Sequence, residues 1–94
     1  MPSSTAQVAT DRPERYLKQL ADHLGRRGNS ERADDGSTGT VRFDFGVVDL
    51  RTEPGQLVMS ATAEDDDALH RVEDVAGRHL VRFGERDGLT VNWG

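Results

Sequence analysis

The three histidines of this sequence carry the side chains best suited to acid–base or metal chemistry, and their surroundings differ. His79 falls within the apolar stripe of a predicted helix, where an imidazole needs hydrogen-bond partners for its nitrogens. Either a backbone or carboxylate partner satisfies the ring, which is the interpretation we favour, or the ring faces a ligand. His23 lies at the edge of the apolar stripe of another predicted helix. His70 lies on an outer helix face with Glu73 and Asp74 one turn on, a weak metal-binding pattern that no second pair completes.

One tryptophan, one arginine and one tyrosine are further candidates for contact with a ligand. Trp93 is the only tryptophan, and it either packs in the core or lines a ligand pocket. Arg82 flanks the same stripe as His79, where it either stabilises the end of the helix or reaches an anion. Tyr16 flanks the stripe that borders His23.

Other patterns that support catalysis or metal binding are missing from the sequence. The chain has no cysteine, which excludes disulfides, thiolate nucleophiles and cysteine-ligated metals. The acidic residues 64–67 could collect a hard cation, but carboxylates at the start of a helix are also what the helix dipole favours, and we prefer that interpretation. No nucleotide-binding, hydrolase, zinc-protease or EF-hand motif occurs. We expect no catalytic residues, no metal and no cofactor.

The net charge of the chain disfavours two classes of binding partner. A net charge of −5 over 94 residues argues against binding to nucleic acid or to an anionic membrane, because both need a basic surface. The one candidate for a basic surface is a local stripe that four arginines could form: Arg71, Arg78, Arg82 and Arg86. The first residues lack the pattern of a signal peptide, and no apolar run reaches membrane-spanning length. We expect a cytoplasmic protein.

Two helices with one apolar face each are expected to position the candidate residues. The first begins at residues 11–14, where Pro13 fits a first turn, and runs to about Gly25. The second begins at residues 64–67 and ends at Gly84. The histidines His23 and His79 thus lie on different helices, and the sequence does not determine whether they approach each other.

Alternating apolar residues predict the strands. Residues 26–40 are interpreted as a mobile connection with a hairpin-turn pattern at residues 35–36, and a further strand around residues 31–33 stays open. Pro54 and Gly55 fit the centre of a type II turn. The predicted strands are residues 5–10, 41–45, 48–50, 57–63 and 89–93.

These elements indicate one α+β domain over residues 1–94. Its order is β-α-β-β-β-α-β with the one extra strand open. Short connections favour a two-layer sandwich in which one mostly antiparallel sheet carries both helices on one face.

Several segments together resemble a bacterial family, the domain of unknown function 2218. Its most specific elements here are Arg12-Pro13-Glu14-Arg15-Tyr16 and His79-Leu80-Val81-Arg82-Phe83. The segments that carry the resemblance are residues 11–20 with His23, then residues 71–75, 77–83 and 89–93. The motif positions that the resemblance marks are Pro13, Tyr16, His23, His79, Arg82, Phe83 and Trp93. The acidic, glycine-rich residues 28–39 depart from the family pattern, which has an apolar-edged strand there.

The resemblance implies a stand-alone α+β domain associated with siderophore-iron uptake, because relatives tend to occur beside siderophore-uptake and siderophore-interacting flavoprotein genes. It implies no established activity. We therefore expect a non-catalytic accessory domain that binds a small molecule or a protein partner. The residue types and the resemblance together mark its candidate ligand-binding residues as Tyr16, His23, His79, Arg82 and Trp93.

Two alternatives to a ligand-binding domain stay open. One is a structural or protein-interaction module that covers the free face of the sheet, and a homodimer is one such arrangement. Arg42, Asp44, Asp49 and Arg51 make that face polar, so we expect a monomer or a weak homodimer. The other is an enzyme with a histidine general base, for which the sequence offers neither a paired nucleophile nor an orienting acid.

Overall fold

A computed structural model describes residues 2–24, 30–33 and 36–94. Within them lie five strands, two α-helices and a short 3-10 helix that follows the second α-helix. Their bounds are β1 (Ser3–Ala9), α1 (Pro13–Leu24), β2 (Ser30–Arg32), β3 (Thr38–Phe43), β4 (Gly46–Glu53), β5 (Gln56–Thr62), α2 (Asp66–Phe83) and the 3-10 helix Glu85–Asp87. None of the described helices is long and apolar enough to cross a membrane.

The five strands form one antiparallel sheet in the order β1-β5-β4-β3-β2. Since side chains alternate along a strand, one set of residues faces the helices. Met59 of β5 illustrates this face, because it pairs with Ala6 of β1 and Leu50 of β4, and all three are buried. The core therefore lies between this face and the helices, and both helices contribute to one cluster of buried side chains.

The helices divide the sheet between them. α1 packs on β2, β3, β4 and β5, and α2 packs on β1, β4 and β5, so the two helices lie side by side and touch. α1 buries Tyr16, Leu17, Leu20 and Ala21, which repeat at the helical period. This arrangement brings the C-terminal end of α1 next to the C-terminal half of α2.

Local sequence explains where α2 begins and ends. The carboxylate of Asp65 accepts a hydrogen bond from the backbone N–H of Ala68 at 2.8 Å, which caps the first turn. The N–H of Gly84 donates to the carbonyl of Leu80 and closes the last turn. A Cβ on Gly84 would lie 2.2 Å from a methyl carbon of Leu89, so glycine lets the following chain fold back tightly.

The predicted fold class is confirmed, and the further strand exists as β2, which pairs with β3. Gly36, of the predicted hairpin turn, has φ +75°, and Gly55 has φ +77° as a type II turn requires. Residues 25–29 and 34–35, on which much of the predicted mobility of residues 26–40 falls, lie outside the described residues.

The expected last strand is reduced to a single antiparallel bridge between Trp93 and Ala6. Reciprocal backbone hydrogen bonds join Thr5 and Gly94. The rest of the segment packs against α2 instead, because Gly77 leaves room for it: a Cβ there would lie 3.3 Å from Trp93 Nε1 and 3.5 Å from a Val91 methyl carbon.

The helix-free face of the sheet is mainly polar. Arg42 pairs with Glu31 at 3.3 Å, and the hydroxyl of Thr40 donates to Asp49 at 2.8 Å. Arg51 pairs with Glu53 at 2.8 Å. The predicted polar residue Asp44 lies instead in the turn between β3 and β4.

Candidate functional site

A cluster of three rings forms where α1 and α2 meet. The ring centroids of His23 on α1 and His79 on α2 lie 5.0 Å apart, with the planes tilted by 44°. Phe83, one turn after His79, meets His23 edge to face at 5.2 Å and lies 6.4 Å from His79. The packing of the two helices therefore joins both histidines that the sequence could not place relative to each other.

The His79 ring has a backbone partner. Its Nδ1 lies 2.7 Å from the carbonyl oxygen of Val75, one turn earlier. Because a carbonyl only accepts, Nδ1 carries the proton, and in the neutral ring Nε2 is then the acceptor. The ring is half-buried. His79 thus has the kind of partner that a structural histidine needs, while it still contacts His23.

An open pocket of about 610 Å³ lies on the α1 side of the ring cluster. Phe83 lines it from α2, and His79 is not among the described lining residues. The other described lining residues come from α1: Arg15, Lys18, Gln19, Asp22 and His23. Among the described residues, two cations and one carboxylate therefore line a pocket that has an aromatic side.

The α1 residues reach this pocket because of their spacing. Arg15, Lys18, Gln19 and Asp22 stand at i, i+3, i+4 and i+7, which places them on one helix face. Gln19 stands out because its side-chain oxygen is buried and has no hydrogen-bond partner among the described residues. Sequence reasoning missed Arg15, Lys18, Gln19 and Asp22 as site residues, because charged and polar side chains beside the apolar stripe of a helix usually only meet solvent.

Tyr16 does not join this pocket. Its side chain is 5% exposed, and its hydroxyl donates to the carboxylate of Asp87 in the 3-10 helix. This hydrogen bond is the main cause that raises the pKa of the Tyr16 phenol, and burial adds to it. Tyr16 therefore joins α1 to the end of the chain.

Trp93 belongs to another side of α2. With Val81 and Val91 it lines a separate open groove of about 470 Å³, whose rim includes His70. The groove is centred on Gly77, and residues two apart on a helix point about 200° away from each other. Trp93 and His79 therefore lie on opposite sides of α2. Arg82 is exposed and lines neither pocket.

The structure assigns other contacts to the acidic residues 64–67 and to the arginines that the sequence grouped as a basic stripe. Asp65 of the run caps α2, and the described residues contain no group of three side chains that could hold a metal. The arginines do not form one stripe: Arg78 pairs with Asp74, and the Arg71 guanidinium lies 5.1 Å from the centre of the Phe45 ring. The side chain of Arg86 lies outside the described residues.

The family model described as "Uncharacterized protein conserved in bacteria (DUF2218)" matches residues 5–94. The chain belongs to this family. The predicted resemblance is thus confirmed, and it covers nearly the whole chain. No curated protein matches the chain.

A solved relative supports the same fold. The chain is similar to the "NMR structure of PA4090 from Pseudomonas aeruginosa", with 26% identity and a TM-score of 0.78 over 100% of this chain and 96% of the other. Of the DUF2218 motif positions quoted from this sequence, the structure brings together His23, His79 and Phe83.

Proposed function

We propose that this DUF2218 domain binds a small anionic molecule with an aromatic part, without transforming it, in the pocket beside the His23–His79–Phe83 cluster. We place this binding in siderophore-iron uptake, the process that the family resemblance implies. The observation that carries the proposal is the convergence of the two imidazoles and Phe83 next to a pocket lined by Arg15 and Lys18.

The charges of the pocket favour an anion. Among the lining residues that the structure describes, Arg15 and Lys18 outnumber the one carboxylate, Asp22, while the chain as a whole is acidic. A local positive potential on an acidic protein attracts anions selectively. Each cation is exposed to solvent, so its contribution to affinity is modest, about 0.2–1 kcal/mol.

The uncharged side chains of the pocket favour an aromatic ligand with a hydroxyl group. The edge-to-face pair His23 and Phe83 offers a surface on which a planar ring can pack. The side-chain oxygen of Gln19 is buried without a hydrogen-bond partner among the described residues. The amide can turn to meet a hydroxyl that donates or a carboxylate that accepts. An aromatic hydroxy acid combines these features.

The partner of His79 supports binding rather than catalysis. Its Nδ1 bonds to a backbone carbonyl, whereas a histidine base is usually oriented by a carboxylate and paired with a nucleophile. The alternative of an interaction module gains little support from the helix-free sheet face, where the arginines already pair within the chain.

Salicylate is the direct probe of this proposal, and phenol is its control because it has the same ring and hydroxyl without the carboxylate. We expect salicylate to bind and phenol to bind at least several-fold more weakly. The variant R15Q/K18Q should lower the salicylate affinity by roughly three- to tenfold. R42Q/R51Q removes the same charge from the helix-free face and should leave the affinity unchanged. Equal losses in the two variants would contradict the site.

The link with iron uptake needs a separate test in cells. A host strain without the gene should grow more slowly under iron limitation, and the wild-type gene should restore growth better than R15Q/K18Q. Unchanged growth of the deletion strain would contradict the iron-uptake role while leaving the binding measurement to stand by itself.

A further inference from the structure

A second pocket, apart from the histidines, lies where the β3–β4 turn meets the start of α2. Its volume is about 440 Å³. Two half-buried phenylalanines, Phe43 and Phe45, form one wall, with Val47 and Ala68 beside them. The two rings stack with centroids 5.0 Å apart and planes 7° from parallel, so the wall is a preformed aromatic surface.

Gly46 explains why the turn folds onto the helix. A Cβ at this position would lie 2.6 Å from the carbonyl oxygen of Thr62 and 2.6 Å from a methyl carbon of Val72 on α2. Only glycine lets the start of β4 approach both neighbours so closely. The Phe45 ring then comes within 5.1 Å of the Arg71 guanidinium, which attaches the turn to α2 through a cation–π contact.

The charges in this pocket have one sign. Among the described residues that line it, the ionisable ones are Asp44 and Glu64, and both are exposed. Neither makes a hydrogen bond or ion pair with another described residue, in contrast to Asp74, which pairs with Arg78. Arg71, whose guanidinium lies 5.1 Å from the centre of the Phe45 ring, is not among the lining residues.

We propose that this pocket binds a small organic cation, a primary amine carried on an apolar or aromatic body. The apolar body would pack against Phe43 and Phe45, and the ammonium group would lie between Asp44 and Glu64. Asp44 and Glu64 disfavour a ligand that carries a carboxylate, because like charges at close range repel. This site is independent of the anion pocket, since the two share no lining residue.

Phenethylamine tests the proposal, with phenylacetate as the charge-reversed control and phenethyl alcohol as the neutral one. Titration followed by backbone amide NMR shifts should move the signals of Phe45, Gly46 and Glu64 with phenethylamine. Phenylacetate should leave these signals in place, and phenethyl alcohol should bind more weakly. The signals of His23 should not respond, which separates this result from the outcome with salicylate.

Charge-matched variants complete the test. D44N/E64Q should lower the phenethylamine affinity by roughly three- to tenfold. E14Q/E85Q, which neutralises two exposed carboxylates on α1 and the 3-10 helix, should not change it. The proposal is overturned if phenethylamine moves none of these signals, if phenethyl alcohol binds equally well, or if both variants lose the same affinity.

Discussion

The hydroxyl of Tyr16 donates a hydrogen bond to the carboxylate of Asp87, a residue 71 positions later in the sequence. The bond joins the first turns of α1 to the 3-10 helix that follows α2. A carboxylate acceptor stabilises the neutral phenol and repels the phenolate. It therefore raises the pKa of Tyr16 above its ordinary value of 10.0.

The raised pKa can be measured without ambiguity, because Tyr16 is the only tyrosine. Tyrosinate absorbance should show a native titration midpoint above pH 10.0, and the midpoint should return to the ordinary value in denaturant. Asp87→Asn keeps the size of the partner but removes its charge, so it should lower the native midpoint. A native midpoint that D87N leaves unchanged would contradict the contact.

The same contact makes stability depend on pH in the alkaline range. The folded pKa of Tyr16 lies above the unfolded one, so its contribution is complete below about pH 10 and is lost as pH rises through the folded pKa. Tyr16→Phe should cost about 1 kcal/mol of unfolding free energy at neutral pH. Urea melts at neutral and alkaline pH should show that this difference shrinks at high pH. A constant difference would argue against the linkage.

The two histidines of the ring cluster should respond differently to truncation. His79 is half-buried, bonds to Val75 and is not among the described lining residues of the pocket, so His79→Ala should cost about 1–3 kcal/mol in stability through a cavity and a lost hydrogen bond. His23 lines the pocket, so His23→Ala should mainly weaken salicylate binding. Urea melts and salicylate titrations of both variants separate the roles. If H79A abolishes binding at unchanged stability, His79 rather than His23 meets the ligand.

Two glycines should tolerate a methyl group to different degrees. Gly46→Ala places a Cβ 2.6 Å from the backbone oxygen of Thr62, and backbone in a sheet cannot move aside cheaply, so we expect a loss of about 1–3 kcal/mol. Gly77→Ala places a Cβ no closer than 3.3 Å to any neighbour, and those neighbours are the half-buried side chains of Trp93 and Val91, which can shift slightly. G77A should therefore lose less. Urea melts that rank G77A as the more damaging variant would contradict the close approach at Gly46.

The elements of the fold were predictable because their periodicity is strong. Val41 and Phe43, like Leu57, Met59 and Ala61, alternate with outward residues and form strands as expected. Residues 89–93 alternate equally well, yet they form only the bridge to Ala6. Alternation indicates one apolar face, but it does not tell whether a sheet edge or a helix covers that face. Here Gly77 has no Cβ, so residues of this segment can pack closely against α2.

The candidate site was predictable only in part. Tyr16, His23, His79, Arg82 and Trp93 were chosen by residue type, and of these only His23 and His79 come together. Whether residues on two helices meet depends on how the helices pack, which local sequence does not encode. Asp87 was missed for the same reason, because nothing near it in sequence indicates a phenol partner.

The central claim, that a small aromatic anion binds beside the histidine pair, is tested most directly by locating salicylate in the complex. Intermolecular nuclear Overhauser effects should connect the salicylate ring protons with ring protons of His23 and Phe83. His70, which is exposed on α2 away from this pocket, supplies the internal control and should show none. Effects from salicylate to Trp93 or Val81 in place of His23 and Phe83, at saturating ligand, would contradict the proposed function.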